Sequence, residues 1–423
     1  MSPWDERLGR RFITSFPDRP PGLRTLGREA EHPVVHADGT AADIAVLWPH
    51  LAAGGGELLR EGDLIVGLAC EGCTFSAEVG FGTMEIIVGP CDDLHQIRGA
   101  YEAARDRLLA AAEAEGLRVL GYGIQPVTPP SFDLMTPKQR YAVLRATLGD
   151  LWAWFTATAS DQTHVSVSRR EVIDATNTVN LLSPLVIALC ANSPVWAGAD
   201  GGVCCGREHA MGAIGLAEHR HGMPGAPVND AEEWVARTFP MPLYMVKGPE
   251  GSVADGRRFA DWLQQVNPDE DLAWQTWLHH EHYIWNSARP RTLHGTLELR
   301  APCQQPGDAH MAGSALALGL VEGHREIQRF IDKSLGDDQW PALRAWHRLA
   351  VRHGASWDAP IDGFVEGVLE RAVQAVARRE RGEEALLQPL LDRWQKRKAP
   401  AQVAREAFAQ GGVLALVDAV ALR

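Results

Sequence analysis

Residues 292–300 read TLHGTLELR and place a hydroxyl, a carboxylate and a guanidinium at alternate positions. Alternate residues of a β-strand point to the same face. Thr296, Glu298 and Arg300 therefore share one face of a predicted strand, and the two leucines between them share the other. A polar face of this composition is typical of a solvated strand or of a cleft that binds charged ligands.

Other predicted strands repeat this alternation of polar and apolar residues. Like charges that share a cleft repel one another unless cations neutralise them, and hard divalent ions such as Mg²⁺ prefer carboxylate oxygens. One imidazole among the carboxylates suits Mg²⁺ or Mn²⁺ better than structural zinc. The pattern alone leaves a solvated face and a metal-binding cleft both open. The polar positions are Glu29 and Glu31, Glu78, Thr83 and Glu85, and Gln162, His164 and Ser166.

The order of predicted elements indicates an α+β protein with helices on one face of a largely antiparallel sheet. Residues 1–24, polar and rich in Pro and Arg, are expected to be an N-terminal arm with little structure of its own. Residues 25–423 are expected to be a single catalytic domain, mostly helical over 308–423. The predicted strands are 26–36, 64–69, 75–79, 83–88, 118–126, 163–168, 242–247 and 295–301. The predicted helices before residue 308 are 42–52, 91–115, 137–150, 170–191 and 230–237.

Composition and charge exclude some partners. The 423 residues include 41 Lys and Arg against 54 Asp and Glu, a net charge of −13. This balance disfavours nucleic acid and an anionic membrane as partners. No apolar run reaches the roughly 18 residues of a membrane span, and the N-terminus lacks the apolar region of a signal peptide. We therefore expect a cytoplasmic protein with no membrane partner, and the helical C-terminal region is a candidate surface for a homo-oligomer.

Two short clusters invite a zinc interpretation. Cys70 and Cys73 have C-x-x-C spacing, but no second half of a zinc site follows. Because the sequence shows no secretory signal, we expect the seven cysteines to be reduced thiols. Residues 279–282 read HHEH, which does not match the HExxH metalloprotease motif. We expect this second cluster to be a solvated or interface segment.

Ten stretches, in order, resemble the type 2 glutamate–cysteine ligase family, also called the carboxylate–amine ligase family. They cover roughly residues 25 to 325, and the combination of G-x-E-x-E, T-x-E-I, Q-x-H-V, A-N-S-P and T-x-E-x-R is its most specific feature. The stretches are GREAEH (27–32), EVGFGTMEIIVGPCDDL (78–94), GYGIQP (121–126), TPKQRY (136–141), SDQTHVSVS (160–168), NLLSPLVIALCANSPVWAG (180–198), CGREHAM (205–211), HRHGMP (219–224), PMPLYMV (240–246) and ARPRTLHGTLELRAP (288–302).

The resemblance implies a glutamine-synthetase-like fold, in which a curved antiparallel sheet forms a cradle for ATP and metal ions. It also implies ATP-dependent amide formation, in which a substrate carboxylate is phosphorylated and an amine attacks the acyl phosphate. Arg300 would neutralise the transferring phosphoryl group, with Glu298 and Glu85 as further catalytic residues. The implied Mg²⁺ or Mn²⁺ ligands are Glu29, Glu31, Glu78, Glu85, His164 and Glu298. The residues implied to bind ATP or the substrate carboxylate are Arg207, Arg220, Arg289 and Thr296.

The substrate pair is less closely defined than the reaction class. Where the plant and mycobacterial branches carry E-P-G-G-x-x-E-L-S, this chain has EVGFGTMEII, and their Q-V-N-L-D is QTHVS here. Glutamate and cysteine are the expected substrates. A tailoring ligase that joins another amino-acid or peptide carboxylate to an amine, and a non-catalytic homologue that binds ATP or a metabolite, remain alternatives.

Overall fold

A nine-stranded antiparallel sheet, seen in a computed structural model that describes residues 3–19, 22–215, 220–248 and 251–423, forms the centre of the fold. Its order is β14-β15-β7-β1-β5-β4-β3-β2, and β6 also pairs with β1. The strands of this sheet are β1 (Leu26–Val35), β2 (Glu57–Glu61), β3 (Leu64–Cys70), β4 (Cys73–Ala77), β5 (Thr83–Cys91), β6 (Arg118–Val119), β7 (Asp161–Ser166), β14 (Ala288–Arg291) and β15 (Thr296–Leu299). The short strands outside it are β8 (Val195–Trp196), β9 (Ala199–Asp200), β10 (His221–Gly222), β11 (Met245–Gly248), β12 (Gly251–Ala254) and β13 (Trp285–Asn286).

The strand register places the predicted polar residues side by side. Glu31 of β1 lies directly opposite Glu85 of β5, and Glu298 of β15 lies directly opposite His164 of β7. Directly opposed residues of an antiparallel pair project from the same face and lie close enough to interact. The alternating sequence pattern therefore becomes one polar face that crosses four neighbouring strands.

The opposite face of the sheet is mostly apolar and covered by helices, and it also holds a buried ion pair between Arg28 and Asp161, 2.7 Å apart. Met84 and Ile86 of β5 are buried, and helix α3 (Leu94–Ala114) packs against this strand with Ile97 and Tyr101 turned inward. Asp93 caps α3, its carboxylate accepting a hydrogen bond from the Gln96 amide at 2.8 Å. Helix α11 (Ala312–Glu322) packs against β7 in the same way.

Helices dominate the rest of the chain, including the predicted helical region after residue 308. The first ten are α1 (Pro3–Thr14), α2 (Trp48–Ala53), α3 (Leu94–Ala114), α4 (Gln139–Leu148), α5 (Val172–Leu181), α6 (Ser183–Cys190), α7 (Gly206–Gly215), α8 (Ala231–Ala236), α9 (Phe259–Val266) and α10 (Glu270–Glu281). The last six are α11 (Ala312–Glu322), α12 (His324–Leu335), α13 (Gln339–His353), α14 (Phe364–Ala377), α15 (Gln388–Gln395) and α16 (Pro400–Val420).

The expectation of an N-terminal arm with little structure is wrong. Helix α1 places Leu8 and Phe12 in the core, followed by Phe16, and the Phe12 ring meets the edge of Trp277 with centroids 5.8 Å apart. The four-residue spacing of these apolar residues forms one helix face, which the surrounding arginines obscure in the sequence. Residues 1, 2, 20 and 21 of the predicted arm lie outside the described residues.

Several predicted elements differ in extent. The helix predicted over 170–191 is two helices, α5 and α6, bent by 52° at a break beside Pro184, because proline cannot donate the backbone hydrogen bond that would continue the first helix. The strand predicted over 118–126 is confined to β6. Strands β2 and β14 were not predicted, since β2 is largely exposed and β14 contains a proline.

Helix α10 contains most of the HHEH cluster, and its expected solvation is wrong. His280 and Glu281 are buried, where the His280 ring contacts the Thr238 carbonyl and Thr292 donates a hydrogen bond to Glu281. The cluster is therefore mostly a packed part of the interior.

Across the described ranges, no single helix is both long and apolar enough to cross a membrane, although the bent pair α5 and α6 meets the criteria of length and composition when taken together. All seven cysteines are free thiols. Cys70 and Cys73 face each other across the β3–β4 hairpin.

Candidate active site

Three carboxylates from neighbouring strands meet at one point. Glu31, Glu78 and Glu85 each offer an oxygen atom, and these atoms all lie within 4.8 Å of one another. Glu31 and Glu85 are an opposed pair on β1 and β5, whereas Glu78 follows the last residue of β4. We call these three residues the carboxylate cluster. Its oxygen ligands and spacing fit a hard divalent cation.

Burial makes the carboxylate cluster unfavourable when it is ionised without a cation. Loss of solvation, followed by the charge of Glu78, raises the pKa of Glu31 to about 7. Burial also raises the pKa of Glu85 well above its usual range, with further contributions from Glu78, Glu29 and Glu31. A bound cation would relieve this repulsion, so the cluster suits the ion that the resemblance implies.

Strand β4 ends before Glu78, so this residue lies just outside the paired strand. The segment at 136–138 holds it in place. The Thr136 hydroxyl donates to the Glu78 carbonyl at 2.7 Å, and the Thr136 amide donates to the Val79 carbonyl at 2.8 Å. The buried ammonium group of Lys138 donates to the carbonyl of Ala77. These contacts fix the backbone on both sides of Glu78.

A second group of potential ligands contains the imidazole. His164 Nε2 lies 3.2 Å from Glu29 Oε1 and 3.8 Å from Glu298 Oε2. Burial opposes ionisation of Glu29, but its pairing with His164 prevails and lowers its pKa. The Thr296 hydroxyl lies 3.0 Å from His164 Nδ1. Thr296 thus contacts the far side of the imidazole ring instead of lining the central cavity.

Three arginines surround the fully buried carboxylate of Glu298. Arg289 Nε and Arg291 Nη1 donate to its Oε2 at 3.0 and 3.1 Å, and Arg300 donates to its Oε1. Burial would raise the pKa of Glu298, but the three guanidinium groups hold it well below its usual range. All three arginines line the cavity, so Glu298 concentrates positive charge on this wall.

Hydrogen bonds connect this arginine wall to the carboxylate cluster. Arg300 donates to Gln162 Oε1 at 2.6 Å, and Gln162 Nε2 donates to Glu31 at 2.9 Å. The backbone amide of Ser160 donates to the other oxygen of Glu31 at 2.7 Å. The predicted residues on β1, β7 and β15 therefore belong to one network.

The two arginines predicted in the segment after residue 200 have different positions. Arg207, on α7, lines the cavity and contacts the Ala301 carbonyl. The Arg220 guanidinium lies over the Tyr244 ring, 4.1 Å from its centroid, and donates to the carbonyls of Pro242 and Tyr283. The structure brings Arg207 to the cavity wall and holds Arg220 behind it.

Sequence reasoning missed much of the cavity wall. Arg140 and Arg291 lie within stretches that resemble the family, TPKQRY and ARPRTLHG, and that location was the available signal. The aromatic residues carry no periodic signal, since they come from separate elements. Trp152 and Phe155 have ring centroids 4.3 Å apart, and Phe155 and Trp285 4.9 Å apart. The unpredicted residues include Arg140, Tyr141, Trp152, Phe155, His221, His282, Tyr283, Trp285 and Arg291.

Comparison with solved structures defines the class of protein. The chain has the fold of glutamine-synthetase-like ligases. A glutamate–cysteine ligase from Francisella tularensis, solved in complex with AMP, has a TM-score of 0.56 at 11% identity, covering 95% of this chain and 88% of that one. A bifunctional glutathione synthetase from Pasteurella multocida has a TM-score of 0.53 at 12% identity, covering 99% of this chain and 52% of that one.

The family follows from the sequence comparison. The model of glutamate–cysteine ligase family 2 matches residues 39–415, so this chain belongs to that family of ligases. A Rubrobacter xylanophilus protein that carries the name glutamate–cysteine ligase 2-3 is 27% identical over 334 residues, 78% of this chain and 77% of that protein. The chloroplast glutamate–cysteine ligase of Arabidopsis thaliana is 27% identical over 337 residues, 76% of this chain and 61% of the plant enzyme. The chain thus spans less than two thirds of that plant relative.

Proposed function

We propose that this protein is an ATP-dependent ligase that joins a carboxylate to an amine through an acyl phosphate, with glutamate and cysteine as the first pair to test. The observation that carries this proposal is that the carboxylate cluster and the arginine wall, formed by Arg289, Arg291 and Arg300, line the same cavity. An anionic nucleotide and a carboxylate substrate need cations and guanidinium groups close together.

Two groups of side chains would hold divalent cations. The carboxylate cluster is the first, and Glu29, His164 and Glu298 form the second. Bound Mg²⁺ or Mn²⁺ would neutralise phosphate oxygens and orient them for transfer. Glu298 also holds its three arginines, so its role in the second group includes fixing their positions.

The arginines have separate tasks in this proposal. Arg300 and Arg291, fixed by Glu298, present guanidinium groups to the phosphoryl group as it transfers. Arg289 shares this wall, where burial lowers its pKa to about 9 despite the neighbouring Glu298. Arg207 approaches from α7 and is available to bind the substrate carboxylate through a two-pronged contact.

ATP use is supported by relatives of known structure. The Francisella tularensis glutamate–cysteine ligase was solved with AMP, and its fold matches 95% of this chain. In this protein the phosphorylated carboxylate would be attacked by the amine, forming the C–N bond as the C–O bond to phosphate breaks. The phosphate leaves with the bonding electron pair.

The aromatic wall favours a second candidate substrate class. The cavity that Glu78 and Arg140 line is also lined by five aromatic residues, which are Tyr141, Trp152, Phe155, Tyr283 and Trp285. Aromatic rings bury large apolar areas and stack with flat groups. A tailoring ligase whose amine carries a larger apolar side chain than cysteine would use this wall.

The test is a substrate panel with ADP release as the readout. Purified protein is incubated with ATP, Mg²⁺, one carboxylate from a set of amino acids and small peptides, and one amine. We expect release only when all four components are present, with the preferred amine separating glutamate–cysteine ligation from tailoring chemistry. Absence of release across the panel, together with ATP binding by calorimetry, would instead support a non-catalytic binding protein.

A further inference from the structure

A histidine–glutamate–histidine arrangement borders the cavity at His221, which lies in the same wall as the arginines and the carboxylate cluster. Glu208 Oε2 is 3.2 Å from His221 Nε2, and Glu208 Oε1 is 3.3 Å from His347 Nε2. Glu208 is 4% exposed. Burial opposes its ionisation, but the two imidazoles hold its pKa well below its usual range. The reaction steps described above make no use of this arrangement.

Three separate elements hold the arrangement together. Glu208 lies in the first turns of α7, directly after Arg207, and His347 lies on α13. His221 lies on β10, which pairs with β13 so that His221 is the register partner of Trp285. Pairing with β13 therefore places the His221 ring in the same wall as the aromatic residues.

The backbone beside His221 is adapted to the approach of Glu208. Gly222 has a φ of +66°, a conformation that side chains with a Cβ rarely adopt. A Cβ atom at this position would come within 2.8 Å of Glu208 Oε1. Glycine thus allows the carboxylate to reach both imidazoles.

The His221 side chain borders the cavity. Its Nε2 is directed to the Glu208 side, whereas its Nδ1 forms no hydrogen bond with any described residue, and the ring lines the cavity. An imidazole backed by a buried carboxylate is oriented and stabilised as an imidazolium when it takes up a proton. The Nε2 atom of His347, whose side chain is 18% exposed, lies 3.3 Å from the other carboxylate oxygen.

We propose that His221 is the proton acceptor for the amine substrate, and that Glu208 and His347 are its positioning residues. This role rests on the proposed ligase function, because an amine enters such a reaction as an ammonium ion with no free electron pair. His221 Nδ1 takes one proton from the ammonium group, and the freed electron pair of nitrogen attacks the acyl carbon. The bond from that carbon to the phosphate oxygen then breaks, and the departing phosphate carries away the second proton of nitrogen.

The charged groups around His221 fit this role. Glu208, on α7, faces His221. His347, on α13, lies on the other side of the Glu208 carboxylate. Arg207 on α7 lines the same cavity, and Arg220 precedes His221 in the chain. Glu208 is the only carboxylate among these four, so the imidazolium formed after proton transfer has one opposite charge in contact.

The test compares two amines in His221→Asn and wild-type protein. ADP release is measured with ATP, Mg²⁺ and glutamate plus cysteine, or with the pair that the panel identifies, and separately with hydroxylamine in place of the amine. Hydroxylamine is uncharged at neutral pH and needs no proton acceptor before it attacks. His209→Asn, an exposed neighbour of Glu208 on α7, is the matched control.

We expect His221→Asn to lower amine-dependent turnover by about 10²- to 10⁴-fold, the usual contribution of general base catalysis. Hydroxylamine-dependent release should stay within a few-fold of wild type, which also shows that the variant folds and binds ATP. The deficit with the amine should shrink as pH rises, because more of the amine is then free base. The control should match wild type with both amines.

Two results would overturn the role of His221. An equal loss with both amines would indicate a structural contribution only, and an unchanged rate with the amine would exclude proton transfer to His221. Wild-type protein that releases ADP with neither amine, nor with any pair in the panel, contradicts the proposed function itself and this role with it.

Discussion

At the scale of single residues, Glu298 illustrates how one carboxylate organises several cations. It has no exposed area, and its oxygens accept hydrogen bonds from three arginines that line the cavity. Removing one charge from a buried ion pair leaves the partner charges uncompensated. Glu298 therefore contributes to folding as well as to the proposed chemistry.

We expect Glu298→Gln to abolish ADP release and also to lower the free energy of unfolding by about 3–5 kcal/mol, as loss of a buried ionic partner does. Urea denaturation followed by circular dichroism measures the stability. Glu57→Gln, on the exposed face of β2, is the control and should change neither property. Normal stability in Glu298→Gln would show that the arginines find other partners.

The pKa of Glu31 predicts a pH dependence. Its ordinary value of 4.5 is raised to about 7, so between these values the folded protein holds a proton that the unfolded chain has released. The contribution of Glu31 to the stability of the metal-free protein should therefore fall as pH rises through this interval, and its fall should end above pH 7.

Comparison with Glu31→Gln isolates this contribution. The stability difference between wild type and variant should change by about 1 kcal/mol per pH unit between pH 5 and pH 7 in the presence of a chelator. Saturating Mg²⁺ should make this stability difference change less with pH, since the cation competes with the proton for Glu31. A difference that is constant with pH would contradict the raised pKa.

At the scale of elements, the segment at 136–138 compensates for the end of β4. Glu78 follows the strand, and contacts from Thr136 and Lys138 hold the backbone around it. The position of this potential metal ligand thus depends on a segment about 60 residues further along the chain.

We expect Lys138→Met to weaken Mn²⁺ binding by about 10-fold, because the supporting contacts of a metal ligand usually contribute that much or more. Electron paramagnetic resonance of free Mn²⁺ measures the affinity without any dependence on turnover. Lys333→Met, at an exposed position on α12, should bind Mn²⁺ as wild type does. Equal affinities in the two variants would show that Thr136 suffices.

At the scale of the whole molecule, one main hydrophobic core joins the ends of the chain. It includes Leu8 of α1, Leu297 of β15 and Leu390 of α15, and it also reaches Leu422. The amide of Leu422 donates to the Val119 carbonyl of β6 at 2.8 Å. The helical C-terminal part is therefore packed with the sheet that carries the proposed site.

We expect a single cooperative unfolding transition by calorimetry, shifted to higher temperature by Mg²⁺ with ATP. A ligand that binds only the folded state at 100 times its Kd adds about 2.7 kcal/mol of stability. Phe12→Ala in α1 and Leu390→Ala in α15 should each lower the midpoint temperature of this one transition. Two separate transitions would contradict the prediction of one catalytic domain.

The sequence by itself determined the polar and apolar faces of the strands. A period of two assigns Glu29, Glu31, Glu85, His164 and Glu298 each to the polar face of its own strand, without knowledge of the partner strands. The order of short motifs likewise indicated the family that the comparison confirmed. Both signals depend only on residues that are close together in the sequence, so they can be identified without knowing the fold.

Only the tertiary structure decided which of these residues meet. Strand register paired Glu31 with Glu85 and Glu298 with His164, and the packing of distant segments added the aromatic wall and the arrangement around Glu208. It also held Arg220 behind the wall and buried α1. These contacts join residues that are distant in the chain, in some cases by more than 100 positions, as between Glu208 and His347, so no local pattern specifies them.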